Sequence, residues 1–117
     1  MTNPDTQAVL DLCQNNPIRA IQTALDDEAG AAMAALVPPH IRPGIARYLI
    51  LGIKPGSFLR ACFMGDLLGA AVKADQDNAA ALASIANWIT AFAPSDCYGS
   101  DDAIRQWADQ GGIGGAA

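Results

Sequence analysis

The chain has 117 residues, of which 51% are hydrophobic and 16% charged, and its formal net charge is -5. That length holds one core, and abundant alanine with few β-branched runs or aromatics predicts an all-α fold rather than a sheet. The negative balance disfavours a nucleic-acid binder, which needs clustered Lys and Arg against phosphates, but leaves a small anionic ligand open.

Residues 1–36 are expected to form a separate N-terminal helical arm. Ile18, Ile21 and Leu25 fall on one helical face, and Pro17 fits the first turn of that helix after Asn15-Asn16 as cap candidates. The alanine-rich run from Ala29 to Leu36 either continues this helix or frays. The arm packs on the domain or on a neighbouring copy.

Pro38-Pro39 marks the boundary of a helical core domain, residues 37–110. A helix is predicted from about Pro39 to Leu51, with Ile41, Ile45, Tyr48 and Leu49 on one face. Pro43-Gly44 kinks it or delays its start, and Gly52 stops it. The next helix begins near Pro55-Gly56-Ser57 and carries a wide apolar stripe of Phe58, Leu59, Cys62, Phe63, Leu67, Ala70 and Ala71. Asp66 lies beside that stripe, an unexpected place for an acid. A cap at Ala74 to Asn78 then opens a helix to about Phe92, with Leu82, Ile85, Ile89 and Phe92 inward and Trp88 on the flank. After Pro94, Ser100 caps a last helix to about Gln110 in which Ile104 and Trp107 face inward, and residues 111–117 read as a flexible tail. The expectation is a small bundle of four or five short helices, gaining core by association as a homo-oligomer.

Cys13, Cys62 and Cys97 are an odd number with no CxxC pair, and His40 is the single histidine. Neither a metal site, a cofactor nor a catalytic set is predicted from them, and the thiols read as reduced ones in a cytoplasmic protein. The N-terminus lacks the basic region of a signal peptide. No apolar run is long enough to span a membrane, so no membrane partner is expected.

Charge is unevenly placed. Residues 29–65 hold Arg42, Arg47, Lys54 and Arg60 and no acid, while the flanking segments carry balances of -4 and -5. This basic segment centres on the turn before Ser57, where a helix start offers free backbone N–H groups to an anion. The candidate ligand-binding residues are therefore Arg47, Tyr48, Lys54, Gly56, Ser57 and Arg60: cations on either side, a hydroxyl, an open backbone and an aromatic ring for stacking. The same turn is also ordinary connection chemistry between two helices, with Tyr48 a core residue.

Residues 37–109 resemble a family of short, uncharacterised bacteriophage and prophage proteins. The matching residues are Arg47-Tyr48, Gly52-Ile53, Pro55-Gly56, Phe58-Leu59, Asp66-Leu67, Ala74-Asp75, Asn78, Cys97, Gly99-Ser100 and Trp107. Leu51, Gly65 and Tyr98 depart from the pattern, which favours histidine, asparagine and tryptophan there. The resemblance implies a small helical domain in a phage setting. The expected function is a non-enzymatic accessory protein in the host cytoplasm, sequestering an anionic or nucleotide signal of host defence. The alternative is an interaction module, an inhibitor or adaptor that docks a host protein through acidic surfaces.

Overall fold

Helix starts in this chain are written in Asn, Asp and Ser. The computed structural model describes residues 4–113, and among them the chain forms eight α-helices and no strand. They are α1 (Pro4–Asn15), α2 (Pro17–Ala24), α3 (Asp27–Leu36), α4 (Arg42–Leu51), α5 (Ser57–Met64), α6 (Leu67–Lys73), α7 (Gln76–Phe92) and α8 (Asp101–Gln110). Single 3₁₀ turns cover Pro39–Ile41 and Ser95–Cys97. The side chains of Asn16, Asp26, Asp66, Asp75 and Ser100 each accept a hydrogen bond from the backbone N–H three residues on. Each such bond satisfies a donor that the first helical turn leaves without a partner.

Two of these caps divide helices that the apolar spacing runs together. Asp26 starts α3 afresh after α2 has ended at Ala24, so the alanine run neither continues the earlier helix nor frays. The stripe from Phe58 to Ala71 is likewise cut in two. Gly65 ends α5 with φ of 80°, and Asp66 receives the Gly69 N–H at 2.9 Å to begin α6. The acid beside the stripe is thus a cap. Leu67, predicted inward, is 67% exposed, because the chain turns there.

Helices α1 and α2 pack on α4, and α3 packs on α7. Cys13, Ile21, Ala29 and Met33 from residues 1–36 are buried in the same cluster as Ile45, Leu49, Ile85 and Ile104. Residues of the expected arm thus share one buried cluster with residues of 37–110. The large aromatics fasten the layers. Trp88, expected on a flank, is fully buried and its Nε1 donates to the Ala29 carbonyl at 3.0 Å, tying α7 to α3. Trp107 Nε1 donates at 3.0 Å to the Tyr48 carbonyl, tying α8 to α4. Tyr48 Oη donates at 2.7 Å to the Cys97 carbonyl, and its ring tilts 60° against Phe63 with centroids 4.7 Å apart. Each indole or phenol thereby keeps its apolar body buried and its polar atom paired.

Gly111 ends α8 in the left-handed conformation, and the first tail residues fold back so that Gly112 is buried against Ile50 and Gly52. The rest of the expected flexible tail, 114–117, lies outside the described residues. No helix among the described residues is long and apolar enough to cross a membrane.

Candidate functional site

Helix α5 starts on Gly56, which has no side chain to cap it, so the first-turn amides of α5 have no intrahelical acceptor. A side-chain carbon added at Gly56 would meet nothing within 4 Å, so the approach to this backbone is open. Ser57 and Lys54 are exposed beside it. Packing of α6 on α5 brings Lys73 round to the same place, and Pro55, Ser57, Arg60, Met64 and Lys73 line a concave corner of about 450 Å³.

Two carboxylates share the corner. Asp66 and Asp101 line it, and Arg60 Nη2 donates to Asp101 Oδ1. Asp101 also lies 3.4 Å from Arg105 Nε, and Arg105 donates in turn to Asp102. The hydrogen bond from Arg60, helped by the charges of Arg60, Arg105 and Lys54, holds the Asp101 carboxyl below its ordinary value. A guanidinium has five N–H donors in a rigid fork, so one carboxylate contact leaves it able to accept a second anion.

The six residues singled out in the sequence do not all meet. Ser57 and Arg60 line the corner, with Gly56 and Lys54 at its edge. Arg47 lies on the seam between α4 and α1, where its Nη1 donates to Gln14 Oε1. Tyr48 is fully buried with its hydroxyl on Cys97, so its ring is a core element with no face to offer a base. Burial pushes its phenol above the ordinary value. Lys73 and Asp101 are the residues that sequence reasoning missed here. Both come from other helices, and no spacing along the chain announces them.

Elsewhere, burial pushes the Cys97 thiol up to about 12 and the half-buried Cys62 thiol up to about 11, so neither is a poised thiolate. His40, the single histidine, has Nε2 at 3.6 Å from Asp75 Oδ2, both side chains about half exposed. Asn78 is the buried polar residue among those described, 6% exposed, and its Oδ1 has no hydrogen-bond partner there. No group of three or more His, Cys, Asp or Glu side chains gathers among the described residues as a metal site would require. Comparison with protein-family models, curated proteins and solved structures finds no match to this chain.

Proposed function

We propose that this chain is a non-enzymatic binding protein of the bacteriophage or prophage accessory kind. In this reading it captures a small anionic ligand of the nucleotide class in the host cytoplasm and so blunts a nucleotide-signalled defence. The observation that carries the proposal is the corner at the start of α5, where an uncapped helix N-terminus opens beside Ser57, Arg60 and Lys73. Backbone N–H groups and the helix dipole favour a phosphate there, and the flanking cations add charge-assisted hydrogen bonds. The buried Tyr48 gives no stacking platform, so recognition rests on the phosphate rather than on the base.

Isothermal titration of the full chain against mono-, di- and cyclic nucleotides tests this. A charge-assisted hydrogen bond contributes about 1.5–3 kcal/mol, so Arg60→Gln is expected to weaken a bound nucleotide by roughly 10- to 100-fold. Ser57→Ala weakens it less. Flat traces for every nucleotide with well-folded protein would remove the reading.

A further inference from the structure

The corner at the start of α5 already holds an anion of the chain's own. Asp101 is the first residue of α8, and packing of α8 on α5 sets its carboxylate on the corner wall, where Arg60 Nη2 donates to Oδ1. The two side chains are 41% and 39% exposed. An ion pair this open to water shifts an equilibrium by no more than about fivefold, so an incoming anion of higher charge is able to displace the carboxylate.

Asp101 keeps other company when Arg60 leaves it. Its Oδ2 lies 3.4 Å from Arg105 Nε, one helical turn on, and it stands in the first turn of α8, where the helix dipole favours a negative charge. Arg60 has Asp101 as its ion-pair partner among the described residues. The carboxylate therefore gives up the guanidinium at small cost, whereas the guanidinium exchanges the carboxylate only for another anion. The neighbouring acid supplies the contrast. Asp102 carries the same charge one residue on, yet it receives Arg105 Nη2 and lines a separate hollow with Ser95 and Gln106.

We propose that Asp101 is an autoinhibitory counter-anion, which occupies the Arg60 guanidinium until a phosphate group takes its place and is then held by Arg105. The exchange sets a threshold on the ligand. A singly charged anion gains too little at Arg60 to displace Asp101, while a diphosphate or polyphosphate group gains enough, so the corner selects by charge. This rests on the reading that the corner takes a phosphate, and adds to it what the phosphate must displace.

Isothermal titration of the full chain with inorganic pyrophosphate tests it. Asp101→Asn keeps the size of the side chain and removes its charge, and is expected to bind pyrophosphate roughly 3- to 10-fold tighter than the wild type, from the freed guanidinium and the lost repulsion. Asp102→Asn removes an equal charge from the same turn and is expected to change the affinity by less than about 2-fold. In an Arg60→Gln background the gain from Asp101→Asn is expected to shrink to that of Asp102→Asn, because the carboxylate acts through the guanidinium. A wild type that binds, beside an Asp101→Asn protein that binds no tighter, overturns the proposal and leaves the phosphate reading standing. Equal gains from Asp101→Asn and Asp102→Asn overturn it as well, by assigning the effect to net charge, as does a gain that persists without Arg60. Flat traces for both the wild type and Asp101→Asn remove the phosphate reading itself, and the counter-anion with it.

Discussion

Replacing Gly52 by alanine is expected to do more damage than its place at a helix end suggests. Gly52 and Gly65 end α4 and α5 in the same left-handed conformation, with φ of 72° and 80°. An alanine in that conformation costs about 1–2 kcal/mol at either position. The surroundings differ. A Cβ at Gly65 meets nothing within 4 Å, whereas a Cβ at Gly52 lies 2.7 Å from Gly112 N and 2.9 Å from Gly111 Cα. These are backbone atoms, so the carbon cannot be accommodated by a rotamer change and the tail must leave its seat, an overpacking penalty of about 1–3 kcal/mol. Gly52→Ala is therefore expected to cost about 2–5 kcal/mol and Gly65→Ala about 1–2 kcal/mol. Urea unfolding followed by tryptophan fluorescence reads the difference. With slopes of about 1–3 kcal/mol per molar, the two midpoints are expected to separate by roughly 1 M. Deleting residues 111–117 removes the obstruction, and in that background the two substitutions are expected to cost the same, a cycle that isolates the contact. Equal midpoints for the two variants in the full chain would refute the reasoning, as would a gap that survives the deletion.

Tyr48→Phe keeps the ring against Phe63 but leaves the buried Cys97 carbonyl without its donor, and is expected to cost about 1–3 kcal/mol in the same unfolding assay. Asp101→Asn tests the ion pair through pH. Because Arg60 holds the Asp101 carboxyl below its ordinary 3.8, the pair stabilises the fold above that value and the contribution is lost as pH falls through the lowered one. The gap in unfolding midpoint between the wild type and Asp101→Asn is thus expected to be constant well above 3.8 and to close as the pH falls below it. A gap that widens on acidification would reverse the assignment.

Where one element ends and another begins was legible when a cap coincided with a break in apolar spacing. Pro17 after Asn16, Asp75 before α7 and Ser100 before α8 are of this kind. Gly65-Asp66 was not, because Leu67, Ala70 and Ala71 keep the spacing of three and four that Phe58 to Phe63 begin, and a helix tolerates one glycine. That hidden break decides most of what followed. It turns Leu67 outward, and it folds Lys73 back beside Ser57 and Arg60, a meeting that no linear spacing contains. Trp88 was misplaced for a related reason. Its flank position becomes interior only because α3 covers it and offers the Ala29 carbonyl, 59 residues away. The period of α4 did place Tyr48 with Ile45 and Leu49, and the core reading of its ring rather than the stacking one agrees with its burial.

The Tyr48 carbonyl accepts from two donors, Gly52 N at the end of its own helix and Trp107 Nε1 from α8. A chain made from its N-terminus therefore cannot finish the end of α4 when α4 is made. Phe63, then the Cys97 carbonyl, then Trp107 and finally Gly112 must emerge and dock before that one turn has its native surroundings. Helices α1, α2 and α4 can pack on one another as soon as they are made, but a ribosome-bound fragment stopping short of Trp107 would lack the clasp that closes the end of α4.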